Sequence, residues 1–413
     1  MKLAIASDFH LGFSYGSERE QESYENAGKA IQLALDNGAD ALLLPGDLFD
    51  SEVPKQEVLY KALQVFKLAK DAPKREASLR KGGRQCAFSG LPVIAIHGTH
   101  EFRGKDHTNV LEILEKAGCL CYIHGEHVFL EKGNETVAVH GMGGVPEKKA
   151  KDVLQKYGPK PLPSMKNILL LHQSIKEFLP VDDEMVATLS LEDLPKGFDL
   201  VVNGHLHWRS ELNENGAHLL MPGSTIITQM KKLESTKEKG IFIYDTERTK
   251  PEFLALPSQR KFFYKKIRLN GATPEQVLAE ARKAILELPS NKSSLKPLVR
   301  LKLTGTLAKG FVNSDISLNS LEKEFSESAL FSNSVDFSSQ SFIKRIAELR
   351  EMQRSKVSVA EQGFKLFEKN LEEAGFNGAF DSRRIFALLE EGRNDEAMSL
   401  LLEAAEKQPR KSS

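Results

Sequence analysis

The chain has 413 residues, 40% hydrophobic and 28% charged, which is ordinary globular composition but too long for one core, so two or three domains are expected. Lys plus Arg and Asp plus Glu are equal at 57 each. Overall charge therefore says nothing of a polyanionic partner, and any nucleic-acid footprint must be local.

The opening "MKLAIASDFH" has too short an apolar run for a signal peptide and reaches a charge at Asp8. No run approaches the roughly 20 apolar residues that span a bilayer, so a soluble, cytoplasmic protein is expected. The first 210 or so residues repeat one pattern, a short apolar run ending in polar residues. The runs are "KLAIAS" before Asp8, "DALLLPG" before Asp47, "PVIAIHG" before Thr99, "NILLL" before His172 and "FDLVVNG" before His205. Continuous apolar strands of this kind are buried on both faces of a sheet. "YENAGKAIQLALDNGA" and "SEVPKQEVLYKALQVFKLAK" read as amphipathic helices between them, the second with Pro54 near its start. Strand, helix, strand predicts right-handed crossovers in a mostly parallel sheet. Cys86, Cys119 and Cys121 follow no zinc spacing and make no even disulfide set, which fits a reducing compartment. "GAHLLMPGST" and "GIFIYDTE" read as antiparallel strands completing the layer. "FFYKKIRLNG" and "PLVRLKLTG" flank the helix "TPEQVLAEARKAILELP", a small α/β unit. Asn313 to Gln340 is Ser-rich and mixed, and the last 70 or so residues are helical, with Phe364, Phe367 and Leu371 on one face and a frayed tail "QPRKSS".

The polar clusters make sense together. Strand carboxyl ends lie along one edge of a parallel sheet, where ligands bind. Alternate side chains of an extended segment point the same way, which pairs Asp8 with His10 and His205 with His207. With Asp47 and His172 they form two carboxylates and four imidazoles from four distant segments. Mixed carboxylate and imidazole donors suit manganese, iron or zinc, and a carboxylate such as Asp47 can bridge two ions. Gly46, Gly98 and Gly204 are expected to allow tight turns or close backbone approach. His97, His107, His124, His127, His140 and His218 are read instead as hydrogen-bonded structural residues.

"DFHLG", "GDLFD", "GTHE", "LLLHQS" and "NGHLH" resemble the calcineurin-like metallophosphoesterase superfamily. "GDLFDSEVP", "MPGST" and "KGIFIYD" narrow the likeness to the DNA double-strand-break repair nucleases of the SbcD and meiotic-recombination-eleven type, the archaeal branch fitting best. The resemblance implies a two-layer β-sandwich flanked by helices, an α/β fold, with a small α/β capping domain and a C-terminal helical segment. The boundaries it suggests are 1–258, 259–340 and 341–413. It implies two Mn2+ ions held by Asp8, His10, Asp47, His172, His205 and His207, and cleavage of duplex DNA from 3′ ends and of single strands internally. His100 matches the histidine that meets the scissile phosphate. Thr99 stands at a ligand position usually held by asparagine, which implies a weakened second ion, and the catalytic candidate Asp50 stands where some members carry a histidine that orients or stabilises the active site and the SbcD type can carry an aspartate.

Three segments are locally basic. The loop Pro73–Gln85, with Arg75, Arg80, Lys81 and Arg84, is the candidate DNA contact; "PEKKAK" and "QMKKLESTKEKG" are the others. The resemblance further implies a homodimer, and an SbcC-type coiled-coil ABC ATPase docked on about Val357 to Gln408. Two other readings compete: a different calcineurin-like phosphodiesterase or phosphatase, and a catalytically weakened scaffold of the repair complex.

Overall fold

The computed structural model describes residues 1–104, 106–179, 189–214, 217–289, 295–338, 359–373 and 381–406. In chain order its first elements are β1 (Lys2–Ile5), α1 (Glu20–Asp36), β2 (Ala41–Pro45), α2 (Gln56–Lys70), β3 (Ser78–Lys81), β4 (Arg84–Cys86), β5 (Val93–Ile96), α3 (Val110–Lys116), β6 (Cys121–Tyr122), β7 (Glu126–Lys132), β8 (Glu135–Met142), α4 (Ala150–Tyr157), β9 (Lys166–Leu171), β10 (Leu200–Asn203), β11 (Ser210–Glu214), β12 (Ala217–Met221), β13 (Gly240–Asp245) and β14 (Pro251–Ala255). They form a six-stranded sheet, β14-β13-β1-β2-β5-β6, and an eight-stranded sheet, β11-β12-β10-β9-β8-β7-β3-β4.

The five apolar runs therefore do not share one sheet. β1, β2 and β5 are parallel neighbours in the first, while β9 and β10 are parallel neighbours in the second. Every one of these strands is buried on both faces, so its sequence cannot distinguish one sheet covered by helices from two sheets packed together. β13 pairs antiparallel with β1 and β14, as read; β12 is antiparallel to β11 but parallel to β10. Alternation along the strands assigns the layers. Leu3, Ile5, Leu43, Ile94 and Ile96 face Val139, Ile168, Leu170 and Val202 in the core between the sheets. Ala4, Ala6, Leu42, Leu44, Val93 and Ala95 face outward, against Ala27, Ala30, Ile31 and Ala34 of α1 and Ala62, Val65 and Phe66 of α2. Alanines in both partners let the helices approach the sheet closely. Leu169, Leu171 and Val201 turn to the other side, against Ala150 and Leu154 of α4 and Phe198.

The chain divides into two compact units, Met1–Lys266 with Ala281–Lys302 and Leu318–Ser334, and Ile267–Glu280 with Leu303–Ser317 and Val335–Ser413. Both large sheets lie in the first. A separate sheet runs in the order β15 (Phe262–Ala272), β16 (Leu298–Leu307), β17 (Leu330–Ser338), the last strand drawn from the Ser-rich stretch. The tail holds helices over Val359–Glu373, Ser382–Glu390 and Asn394–Glu406. Phe364 and Phe367 meet the ring of Phe386 at 5.6 and 5.7 Å, and Asp381 caps the middle helix by accepting from the backbone N–H groups of Arg383 and Arg384. The tail "QPRKSS" and residues 341–358 lie outside the described residues.

Candidate functional site

The backbone is bent sharply at the strand ends. Asp8, His10, Asp47 and His205 all adopt the left-handed conformation, with φ of 52°, 47°, 49° and 76°. Each such non-glycine residue costs about 1 kcal/mol or more, and persists only where neighbours fix it. Here the segments after β1 and β2 bond to each other: Asp8 N–H to Gly46 O at 3.1 Å, His10 N–H to Asp47 O at 3.0 Å, Leu11 N–H to Leu48 O at 2.8 Å. Gly98 is needed for close approach, since a Cβ there would lie 2.0 Å from Asp47 Oδ1. That oxygen accepts the His100 backbone N–H at 2.9 Å.

Two groups of donors result. In the first, Asp8, His10 and His207 bring their ligand atoms together. His10 Nδ1 lies 3.0 Å from Asp50 Oδ1 and donates to it, which leaves the lone pair on Nε2. His207 Nδ1 is bonded to the Thr228 hydroxyl, so its Nε2 is also turned inward. The two Nε2 atoms face each other at 3.2 Å, with Asp8 Oδ1 at 4.0 and 3.7 Å from them. In the second group, Asp47, His172 and His205 converge. His172 Nδ1 donates to Pro45 O at 2.7 Å, leaving Nε2 to point at Asp47 Oδ2, 3.0 Å away. The pair is within ionic distance, yet no directed hydrogen bond satisfies the buried Nε2. Two imidazole nitrogens that face each other beside a carboxylate in a buried site need a proton or a cation between them. The donor sets therefore fit divalent metal ions, and mixed oxygen and imidazole donors suit manganese, iron or zinc.

The electrostatics agree. Burial pushes the Asp8 carboxyl up to about 6, against the pull of His172 and His10. Burial also opposes charge on His172 and Asp47, but each outweighs it for the other: His172 rises to about 10 and Asp47 falls far below the usual carboxylate range. His205 is pushed down to about 4 by burial and by the His172 charge beside it. One positive charge is thus drawn to the Asp47–His172 pair, where a metal ion would supply it.

Three remaining sequence candidates stand at the rim. His100 is exposed and donates from Nδ1 to Asp50 O at 3.0 Å, which leaves Nε2 free of that contact. Asp50 links His10 and His100. Thr99 is half-buried beside them. His97 is not a donor for an ion: Nε2–H meets Gly144 O at 3.0 Å and Nδ1 accepts from Tyr122 OH at 2.7 Å, and burial holds its pKa down at about 3.

The basic segment Pro73–Gln85 contains a hairpin, β3–β4, turned by Gly82 and Gly83, both at positive φ. It does not join the donor groups. Arg80 is paired with Glu131 at 2.8 Å and stacks on Phe129, Lys81 is paired with Glu115 and Glu126 at 3.2 and 3.1 Å, and Arg75 donates to Leu35 O. Arg84 is exposed on the last strand of the sheet.

Several supports were not read from the sequence. Glu101, fully buried, accepts the Phe49 and Gly98 N–H groups at 2.6 Å each and ties the β2 and β5 ends together; burial and the nearby Asp47 push it up to about 8. Lys239 is buried and holds His207 O at 2.6 Å, Ser224 Oγ at 2.8 Å and Glu234 Oε1 at 3.1 Å. Only "GTHE" hinted at the first, and nothing in "KEKG" pointed to the second.

Such a fold and centre are those of a protein built to hold divalent metal ions between two facing sheets. Residues 1–209 match the calcineurin-like phosphoesterase family, and the chain belongs to it. Among its relatives are the double-strand break repair protein MRE11 of Arabidopsis thaliana, 26% identical over 366 residues, 73% of this chain and 50% of that one. The DNA double-strand break repair protein Mre11 of Saccharolobus solfataricus is 28% identical over 257 residues, 61% of this chain and 62% of its own. That of Sulfolobus acidocaldarius is 25% identical over 332 residues, 78% and 79% of the two chains. The chain thus spans less than two thirds of the first two relatives' length.

Proposed function

We propose that this protein is a manganese-dependent DNA nuclease of double-strand-break repair, cutting duplex DNA from 3′ ends and single strands internally. The observation that carries the reading is the convergence of the ligand atoms of two carboxylate–imidazole groups, Asp8–His10–His207 and Asp47–His172–His205. In it these six residues hold two ions, with Thr99 beside the second. Bound metal supplies an activated water and charge stabilisation for phosphodiester hydrolysis. The chain's own residues do the rest. Asp50 holds the proton of His10 on Nδ1, and Thr228 fixes the ring orientation of His207 through its Nδ1, which keeps each Nε2 aimed inward. His100 binds Asp50 O through Nδ1–H, and as an imidazolium it would offer Nε2–H to a phosphate oxygen or to the leaving 3′ oxygen.

DNA is held by exposed cations, of which Arg84 is the best available of the basic-hairpin set, with Arg75, Arg80 and Lys81 steering as charge around it. The capping region 259–340 is assigned to DNA and the segment 341–413 to an SbcC-type ATPase. A homodimer is supported by α2, which leaves Tyr60, Leu63 and Leu68 exposed on its outer side. The reading is tested on a labelled linear duplex and a single-stranded circle with manganese, magnesium or chelator. Cleavage of both with manganese is expected; a protein that hydrolyses a chromogenic phosphodiester but neither DNA would refute the nuclease reading.

A further inference from the structure

The second donor group is less complete than the first. Asp8, His10 and His207 are almost wholly buried, and both imidazoles are anchored through Nδ1. In the other group Asp47 already gives Oδ1 to the His100 N–H, and the His205 ring is 27% exposed. Asp47, His172 and His205 offer one atom each, three in all. A divalent ion with oxygen and imidazole donors takes about four to six.

A carboxylate stands at the open side. Glu147, in the short turn that follows β8, brings Oε1 to 3.7 Å from His205 Nε2. The same oxygen accepts the Ser174 N–H at 3.3 Å, which fixes the side chain against the segment that carries His172. Its other oxygen, Oε2, is buried and has no hydrogen-bond partner. Leaving a buried carboxylate oxygen unpaired is costly, and a bound cation would remove that cost. Gln173, between His172 and Ser174, is fully buried with neither amide atom bonded, so unmet polar demand extends along this wall. Two atoms bound to one ion at about 2.1 Å lie about 3.0 to 4.2 Å apart for angles from 90° to 180°. The 3.7 Å between Glu147 and His205 falls in that range. Glu147 lies outside the tight group of Asp47, His172 and His205 and meets it from the His205 side.

We infer that Glu147 is a further ligand-side carboxylate of the second ion, completing its coordination from the His205 side directly or through one water. The inference rests on the two-ion reading above. It gives the second ion a charged oxygen donor where Thr99 has only a hydroxyl. It also turns a residue of the basic-looking "PEKKAK" into part of the centre.

The test is Glu147→Gln in the full chain. Glutamine keeps the oxygen that accepts the Ser174 N–H but removes the charge. Manganese uptake is followed by calorimetry and by the electron paramagnetic resonance of free Mn2+, with Lys148→Ala as control. The wild type and the control should bind two ions. Glu147→Gln should bind one ion normally and the other about 10- to 100-fold more weakly. Melting in chelator should be unchanged while the manganese-induced rise in Tm shrinks, which a merely structural role would not produce. A wild type that takes up two ions beside a Glu147→Gln protein with the same two affinities overturns this inference alone. A wild type that takes up no manganese overturns the two-ion reading and this inference with it.

Discussion

Thr99 poses the sharpest question at the scale of single residues. Its hydroxyl is one bond from Cβ, whereas an asparagine amide oxygen reaches one atom further. The Gly98–Thr99 backbone is closely packed against Gly144: a Cβ on Gly144 would lie 2.7 Å from Gly98 C and 2.8 Å from Thr99 N. Thr99→Asn is therefore expected to lower the manganese concentration for half-maximal cleavage about tenfold, about 1.4 kcal/mol. Titrating both proteins on the same duplex checks it, and identical titrations would remove Thr99 from the centre. The donors themselves were legible because each follows an apolar run at a fixed offset. Glu147, Glu101 and Lys239 were not, since what makes them matter is a contact across 27 to 58 residues of chain or a backbone carbonyl that no sequence spells out.

The strands give the same lesson among the elements. β1, β2, β5, β9 and β10 were readable as apolar runs. β7 and β8 were not singled out, although "EHVFLEKGNETVAVHGM" alternates around a Gly133–Asn134 turn, a hairpin signal. The β3–β4 hairpin was taken for a loop because its charges hide the alternation, and Leu79 and, partly, Cys86 are its apolar contacts with the core. Its cations differ physically. Arg80 is bidentate on Glu131, at 3.1 and 2.8 Å, and covers Phe129; Arg84 is exposed with no such partner. Arg84→Ala should weaken duplex binding with a reduced salt slope and leave Tm unchanged. Arg80→Ala should lower stability by about 0.5–1 kcal/mol and change DNA affinity less, since the pair is surface-exposed. Fluorescence anisotropy across a salt series, beside thermal melts, separates the two; equal DNA losses would mean the ion pair opens on binding.

At the level of the whole molecule, catalysis and the tail are separable in their cores. The six donors and the supports named above all belong to the first compact unit, and Val359–Glu406 to the second. The tail satisfies its own interior, burying Phe364, Ile385 and Ala397. It leaves Leu389, Met398 and Leu402 outside, at 42%, 59% and 59% exposure. Met398 and Leu402 are one turn apart on the last helix, so they form a stripe that a partner helix can cover. Each buried large apolar side chain contributes about 1.5–3 kcal/mol, enough for three anchors to matter to an affinity. If the tail docks an SbcC-type ATPase as proposed, removing residues 357–408 should abolish that binding and leave manganese-dependent cleavage of short substrates within about twofold. Leu402→Glu, which adds charge to the stripe without touching Phe364 or Phe386, should weaken ATPase binding at least tenfold with an unchanged melting profile. Pull-down with the ATPase and single-turnover cleavage measure the two arms. A truncated chain that still binds the ATPase would move the docking site into the first unit, and one that loses cleavage of short substrates would mean that the tail supports the metal centre itself.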